Sequence, residues 1–339
     1  LMRRQTRLPG MALVLTGEAA ADSWPGGITA DCRRETAVAL QSVIEDVAHV
    51  PVMERIRAGR ALARLGDPRP EVLSVDEMLL AFVPASPFWM GSGAHKHMNE
   101  TITRNFWLGK YPVTHAQYGL FVADSGYKES RYWSEAAEVG RWRDGFVQSW
   151  ANHEWRESPQ AYGPPFDLPN HPAVGVSFFE ALAFTRWLTD HWRDKGFLPA
   201  GWTVQLPSEA EWELGARGGQ KIPLAPYVAS AANLPVTVDV LLQDNPYPQR
   251  LFPGANEPTT PAANFNDTGV KTTHCVGCFP QGSSVTGCEE LSGNVWEWTR
   301  SRFADYPYTA DDGRESSAVK LYQHLALRGG AYWSSIRDV

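Results

Sequence analysis

Three of the four cysteines in this chain lie close together, and two of them form a Cys-x-x-Cys pair. They are Cys275, Cys278 and Cys288, and His274 directly precedes the first. Three thiolates and one imidazole would satisfy the tetrahedral preference of zinc. However, His274 and Cys275 are adjacent and would have to wrap tightly around one ion. The spacing therefore favours buried structural cysteines or a redox pair over a zinc site.

The other histidines show no spacing typical of a metal site or a catalytic triad. A Gly-x-Ser-x-Gly elbow is also absent, so the sequence gives no specific sign of a serine hydrolase. We interpret most of these imidazoles as structural groups with satisfied hydrogen bonds, namely His95, His97, His115, His153, His171 and His191.

Capping boxes predict three helices that would position the polar residues. In such a box, a Ser or Thr is followed three residues later by Glu or Gln. The boxes begin at Thr114, Ser177 and Ser208, and apolar residues follow each of them at helical spacing. We expect a helix that ends at Val122, and two more helices over Ala181–Trp192 and Trp212–Ala216.

The N-terminal residues differ from the rest of the chain in their predicted secondary structure. Asp31–Leu65 predicts two helices, and the second, Val52–Leu65, ends before a Gly-Asp-Pro stop signal. From Val72 onward the pattern changes to short strands and turns, with broken strands expected in Phe82–Trp89 and Phe106–Tyr111. We therefore predict a helical segment at 1–71 and one larger domain at 72–339.

The composition is that of an ordinary globular protein, with 43% hydrophobic and 20% charged residues. A net charge of −7 argues against a general binder of nucleic acid or of anionic membranes, because both need a basic field. No apolar stretch reaches the length of a transmembrane helix. Four cysteines are also too few for a disulfide scaffold. We expect a cytoplasmic protein without membrane insertion and without a nucleic-acid partner.

Six motifs follow one another along the larger domain. They are FWMGS at 88–92, KYPVT at 110–114, HPAVGVS at 171–177, LPSEAEWE at 206–213, GNVWEW at 293–298 and RGG at 328–330. In this order they resemble the formylglycine-generating enzyme (sulfatase-modifying factor) family, from about Val72 to Val339. The resemblance implies an α+β fold, a variant of the C-type lectin-like fold with much irregular structure.

In the oxidase members of that family, a cysteine pair shortly after the RGG motif binds copper and carries the oxygen chemistry. Here Ala331–Val339 contains no cysteine. We therefore expect no copper, no formylglycine-generating activity and a non-enzymatic protein. Another branch, the ergothioneine-type sulfoxide synthases, would use a three-histidine iron site. The chain lacks a His-x-x-x-His-x-Glu pattern, and its N-terminal helices contain only His49, which argues against this branch as well.

A third branch, the variable proteins of diversity-generating retroelements, fits the resemblance best. Their hypervariable positions follow the RGG motif on a rigid lectin-type scaffold. Tyr, Trp and Ser combine rigid aromatic area with small hydrogen-bonding groups, which suits a binding surface. The resemblance thus implies a surface for an unknown ligand, expected to be a protein, formed by Tyr332, Trp333, Ser334, Ser335, Ile336 and Arg337. Family members usually continue to a closing strand, so we expect the domain to end beyond Val339.

Two alternatives stay open. One is a sensory or adaptor module of a larger bacterial signalling protein, in which the N-terminal helices end a longer region. The other is a copper- or thiol-dependent oxidase that uses Cys275 and Cys278.

The resemblance also implies structural calcium, which binds oxygen ligands on irregular backbone. One site would use the side chains of Glu290 and Glu297 with the carbonyl groups of Gly293 and Val295. In the alternative interpretation, Asn294 and Glu297 only form hydrogen bonds with turn backbone. A second site would lie around Asn264, Phe265, Asp267 and Val270.

Overall fold

A computed structural model describes residues 10–23, 26–149, 152–254, 262–316 and 324–338. Within these ranges the helices are α1 (Gly10–Ser23), α2 (Ala30–Glu45), α3 (Val52–Leu65), α4 (Pro70–Leu73), α5 (His115–Ala123), α6 (Ser134–Glu138), α7 (Phe178–Asp194) and α8 (Glu209–Arg217). The strands are β1 (Leu79–Val83), β2 (Phe88–Met90), β3 (His97–Asn99), β4 (Phe106–Gly109), β5 (Trp142–Arg143), β6 (Phe146–Gln148), β7 (Trp155–Arg156), β8 (Lys221–Pro223), β9 (Val228–Ser230), β10 (Leu242–Asp244), β11 (Glu297–Arg302) and β12 (Leu325–Arg328). None of the helices in these ranges is long and apolar enough to cross a membrane.

Helices α1, α2 and α3 pack against one another at the N-terminal end of the chain. Helix α3 has the predicted bounds, and Thr29 caps α2 by accepting the N–H of Cys32. Helix α1 was not predicted, because it buries mostly small residues that give a weak periodic signal. The core of these helices continues into the larger domain through Val270 and Phe279. The N-terminal segment is therefore packed onto that domain.

The three capping boxes form as predicted and begin helices α5, α7 and α8. In each box the Ser or Thr oxygen accepts the N–H of the third helical residue, and the Glu or Gln side chain accepts the N–H of the cap. Helix α7 begins at Phe178, three residues before its predicted start, because the helix follows directly after its cap at Ser177. The predicted helices are thus confirmed.

The strands form several small sheets. Strands β4, β1 and β9 form one antiparallel sheet, and β5, β6 and β7 form another. Strand β11 pairs antiparallel with β12, which places Glu297 opposite Arg328. This pairing brings the GNVWEW motif beside the RGG motif. The mixed helix and strand architecture, with long irregular connections, confirms the predicted α+β fold.

Aromatic residues fill the main core of the larger domain. Trp133 and Trp192 are almost fully buried, and each indole N–H donates to a backbone carbonyl, those of Gly126 at 2.9 Å and Val75 at 3.0 Å. Buried indoles usually find such a partner. These hydrogen bonds hold the segments that contain Gly126 and Val75 against the aromatic core.

Candidate functional site

Asn294 joins the segment Leu291–Trp298, here called the signature segment, to three other parts of the domain. Its N–H donates to the carbonyl of Asn264 at 2.8 Å, and its Oδ1 accepts the N–H of His274 at 3.2 Å. Its carbonyl accepts the N–H of Tyr332 at 3.1 Å, and its Nδ2 donates to Glu290 at 2.8 Å. The φ angle of Asn294 is +63°, a left-handed conformation that Asn adopts more readily than most residues. Asn294 therefore fixes the loop that follows the RGG motif.

Arg328, the first residue of the RGG motif, is an ion-pair partner within the scaffold. Its guanidinium forms a salt bridge with Glu213, whose side chain is 1% exposed, and lies 3.6 Å from a carboxylate oxygen of Glu209. Glu213 also pairs with Arg217 at 2.6 Å and accepts the N–H of Gly91 at 2.8 Å. Burial raises the pKa of Glu209. The network fixes β12 against α8, so this motif residue positions the loop after it.

Ser334 closes the turn after the RGG motif. The hydroxyl of Ser334 accepts the N–H of Ala331 at 2.9 Å, and its N–H donates to the carbonyl of Ala331 at 2.8 Å. Its own carbonyl accepts the N–H of Asn266 at 3.0 Å. The side chain is buried, which differs from its predicted place in a ligand-binding surface. Its hydrogen-bonding groups are used by the turn, so Ser334 serves the scaffold.

The rings of Tyr162, Phe166 and Tyr332 lie beside this turn, and we group them with Trp333, the next residue in the chain, as the aromatic face. The ring of Tyr332 is half-buried, with its centroid 5.9 Å from that of Phe166, which lies 6.3 Å from Tyr162. Trp333 is 62% exposed and Tyr162 is 61% exposed. Exposed side chains continue the surface along the chain at Ser335, Ile336 and Arg337.

A cavity of about 560 Å³ is lined in part by the signature segment, through Leu291 and Val295–Trp298. This volume lies within the usual range for small-molecule sites. We call it the aromatic cavity, because its walls include several large rings: Trp107, Tyr111, Trp202, Trp296 and Trp298. The carboxylates of Glu211, Glu289 and Glu297 also line it. The combination of aromatic faces and carboxylates suits a cation that carries apolar groups.

Glu297 lies in a buried environment that perturbs its carboxylate. One oxygen accepts the indole N–H of Trp212 at 2.9 Å, while the other, Oε1, is buried and has no hydrogen-bond partner. Burial raises the pKa of Glu297 to about 7. Glu289 likewise has one buried oxygen without a partner, and its other oxygen lies 3.2 Å from the ammonium of Lys110. Both carboxylates retain acceptor capacity for a ligand or an ion.

The residues of the first predicted calcium site fit a cation in part. Glu297 Oε1 is a free acceptor, as the site requires. The two oxygens of Glu290, however, already accept the N–H of Gly277 at 2.7 Å and the amide of Asn294 at 2.8 Å. Burial also raises the pKa of Glu290 well above its usual range. Calcium at this site stays a prediction that depends chiefly on Glu297 and on the carbonyls of Gly293 and Val295.

The second predicted calcium site has one free acceptor. Asn264 Oδ1 is buried without a partner, while its Nδ2 donates to Thr272. Phe265 and Val270 are buried, and the carboxylate of Asp267 is exposed to solvent. The side chain of Asp267 accepts a hydrogen bond from the amide of the neighbouring Asn266 at 3.5 Å. Calcium here also stays a prediction.

The cysteines do not converge on one point. The sulfur atoms of Cys275 and Cys278 are 2.8 Å apart, whereas Cys288 accepts from the hydroxyl of Thr286 at 3.7 Å. His274 directs Nδ1 to the carbonyl of Cys275 at 2.8 Å. In the part of the chain that the structure describes, no group of three or more His, Cys, Asp or Glu side chains is placed to hold a metal ion.

The sequence matches a known protein family and several of its characterised members. The sulfatase-modifying factor enzyme 1-like domain matches residues 65–339. Hercynine oxygenase of Mycobacterium tuberculosis is 31% identical over 234 residues, which are 67% of this chain and 45% of that protein. The formylglycine-generating enzyme of the same organism is 27% identical over 270 residues, which are 68% of this chain and 75% of that protein. The chain spans about half the length of the curated hercynine oxygenases that it matches.

One solved structure, variable protein 1 of Treponema denticola, has a TM-score of 0.43 with 17% identity, over 76% of this chain and 85% of that chain. This likeness is too distant to carry an argument about function. Assignment to a diversity-generating retroelement therefore stays a hypothesis.

The expectation of a non-enzymatic protein is wrong. Curated relatives at 27–31% identity are named as enzymes, an oxygenase and a formylglycine-generating enzyme. The missing thiols after the RGG motif remove one set of copper ligands. One scaffold can hold different reactive groups at different positions, so their absence does not exclude catalysis.

Sequence reasoning missed several residues of the site. Tyr162 and Phe166 lie in a long irregular stretch, and no local pattern links them to Tyr332. No sequence motif identified Glu289 as a site residue. Glu213 belongs to the LPSEAEWE motif, and its position after a capping box on the buried side of a helix was the available sign that it needs a cationic partner.

Proposed function

The chain belongs to the sulfatase-modifying factor enzyme 1-like domain family, and on this basis we propose that it is the ligand-recognition domain of a family enzyme and binds a polypeptide at its aromatic face. The observation that supports this proposal is a set of aromatic rings at a rigid turn, of which those of Trp333 and Tyr162 are exposed. Trp333 and Tyr162 offer large apolar area in solvent, and the neighbouring exposed Arg337 offers hydrogen-bond donors.

Rigidity of the turn supports the same proposal. Asn294 and Ser334 fix the backbone on both sides of Trp333, so little conformational entropy is lost when a ligand binds. Aromatic side chains on a rigid frame are typical of surfaces that recognise polypeptides. A relative named as a formylglycine-generating enzyme, which makes a modified amino acid, is consistent with a polypeptide ligand.

The test is selection of a random peptide display library on the purified chain, followed by affinity measurement of the enriched peptides. We expect Trp333→Ala to weaken binding by about tenfold or more, as for a hot-spot residue. Phe303→Ala is the matched control, because Phe303 is 68% exposed and does not belong to the aromatic face. Failure to enrich any peptide, or equal affinities of the two variants, would refute the proposal.

A second candidate function is the binding of a small organic cation in the aromatic cavity. The unpartnered oxygens of Glu289 and Glu297 within a wall of indoles favour it. Several relatives are named as hercynine oxygenases, and hercynine is a betaine with a trimethylammonium group. Such a group is attracted to the faces of aromatic rings.

Calorimetric titration with hercynine and with histidine separates this candidate from the first. The two compounds share the imidazole and differ in the three N-methyl groups. We expect hercynine to bind more tightly, and Trp296→Leu, but not Trp333→Ala, to abolish the difference. Equal binding of both compounds, or unchanged hercynine binding in Trp296→Leu, would exclude the cavity as the site.

A further inference from the structure

Cys275 and Cys278 form a buried pair of thiols directly beneath helix α3. Both side chains are 0% exposed, and their sulfur atoms are 2.8 Å apart. Gly277 between them has a φ of +86°, so the chain turns sharply and presents both thiols on one side. A Cβ atom at Gly59 of α3 would overlap the sulfur of Cys275. The helix therefore covers the pair at van der Waals contact.

Two arginines of α3 lie beside the pair. Arg55 donates from Nε and Nη2 to the carbonyl of Cys278 at 3.2 and 3.0 Å, and Arg60 donates to the hydroxyl of Thr272 at 2.5 Å. Neither guanidinium makes a salt bridge with a carboxylate within the described ranges. Burial lowers the pKa of both, and the nearby thiols oppose that shift. A thiolate in this position would therefore add to the negative charge that Asp46 places near Arg55, and would supply negative charge beside Arg60.

The two thiols are electrostatically unequal. The hydrogen bond from Cys278 and the nearby guanidinium of Arg69 lower the pKa of Cys275. Burial and the neighbouring sulfur raise the pKa of Cys278 well above its usual range. Two thiols in contact, one more acidic than the other, form the arrangement from which thiol–disulfide exchange proceeds, because the more acidic thiol supplies the attacking thiolate.

We propose that Cys275 and Cys278 are a redox-active pair that a low-molecular-weight disulfide oxidises to an intramolecular disulfide, and that this oxidation loosens α3 from the larger domain.

The exchange balances with glutathione disulfide as the oxidant. The thiolate of Cys275 attacks one sulfur of the oxidant, whose S–S bond breaks and releases one glutathione thiolate, which takes up the proton of Cys278. The thiolate of Cys278 then attacks the sulfur of Cys275 in the mixed disulfide, and the second glutathione leaves as a thiolate. Two cysteines are oxidised, and one glutathione disulfide is reduced to two glutathione molecules.

A loss of negative charge next to α3 is the reason that oxidation should loosen this helix. A disulfide cannot ionise, so oxidation removes the thiolate charge available to the buried Arg55 and the half-buried Arg60, and a less compensated charge in such surroundings is unfavourable. Because the pair is buried, the oxidant reaches it only when α3 opens. Oxidation is therefore expected to be slow, and opening and oxidation promote each other.

The experiment uses the full chain with Cys32→Ser, since Cys32 is exposed and would otherwise form mixed disulfides. The protein is equilibrated at a series of ratios of reduced to oxidised glutathione, then denatured and alkylated, and its peptides are analysed by mass spectrometry. We expect Cys275 and Cys278 to lose alkylation together, with a mass loss of two hydrogens. Hydrogen exchange of residues 52–65 should rise by about tenfold or more in the oxidised form.

Two variants complete the design. Cys288→Ser, which removes a buried thiol outside the pair, should oxidise like the parent, whereas Cys278→Ser should show no rise in exchange with glutathione disulfide. Thiols that stay free at every ratio, or mixed disulfides without an internal bond, would overturn the redox assignment. Unchanged exchange in an oxidised sample would overturn its coupling to α3. Both readouts come from the protein with its native pair, so they hold even if Cys278→Ser fails to fold.

Discussion

Replacement of Arg328 by Met tests whether the RGG motif works as a structural anchor. Met keeps most of the apolar stem of Arg and removes its charge. Glu213 is 1% exposed and would retain Arg217 at 2.6 Å and the N–H of Gly91, while Glu209 would lose its salt-bridge partner. Loss of one member of a buried pair typically costs about 3–5 kcal/mol. Because Arg217 still compensates Glu213, we expect about 3 kcal/mol in the free energy of unfolding.

Urea denaturation followed by tryptophan fluorescence measures this cost. Arg337→Met is the matched control, since Arg337 is exposed and should change the free energy of unfolding by less than about 0.5 kcal/mol. The double variant Arg328→Met/Glu209→Gln should recover part of the loss, because the carboxylate that loses its salt-bridge partner is then neutral. A cost below about 1 kcal/mol for Arg328→Met, or strictly additive effects in the double variant, would show that Arg328 is not the anchor we describe.

Three further predictions concern the same region. Burial lowers the pKa of His274 to about 3, so its neutral form contributes stability that is complete above pH 6.5 and lost as the pH falls toward 3. Over 3.5 pH units at about 1.4 kcal/mol each, the loss is at most about 5 kcal/mol, and His274→Gln should flatten it in urea titrations at pH 4 to 7. Asn294→Ala should destabilise more than Asn294→Gly by about 1–2 kcal/mol, because only Ala opposes a φ of +63°, and equal losses would contradict this. Calcium chloride should raise the unfolding temperature of the parent protein but not that of Glu297→Gln, with magnesium chloride as the control and excess chelator as the blank. The absence of any shift would end the calcium prediction at this site.

The predicted helices succeeded because their signals are local. A capping box at Ser177 or Ser208 needs only hydrogen bonds between residues three apart, and those form whatever the rest of the chain does. Helix α3 likewise carries its own periodicity and stop signal. Helix α1 was not predicted, because its buried positions are mostly small residues that give little periodic signal by themselves. Their burial is evident only when α2 and α3 pack against them.

The functional predictions could not be settled from local sequence patterns. The RGG motif and the missing thiols after it were visible in the sequence, but the conclusion drawn from them, that the protein is not an enzyme, was overturned by the named relatives. The predicted surface at 332–337 is partly exposed, with Ser334 turned into the scaffold. Its hydroxyl could be assigned to the turn only once the backbone of Ala331 was seen to lie beside it.

The sequence by itself determined the family, the capped helices and the positions of the cysteines, since each is written in neighbouring residues. Only the tertiary structure decided that Phe166 supports Tyr332, that Glu213 pairs with Arg328, and that α3 covers Cys275. The partners in these contacts lie far apart in the chain. Burial of apolar surface brings them together, and it depends on the shape of the whole fold and not on any local pattern.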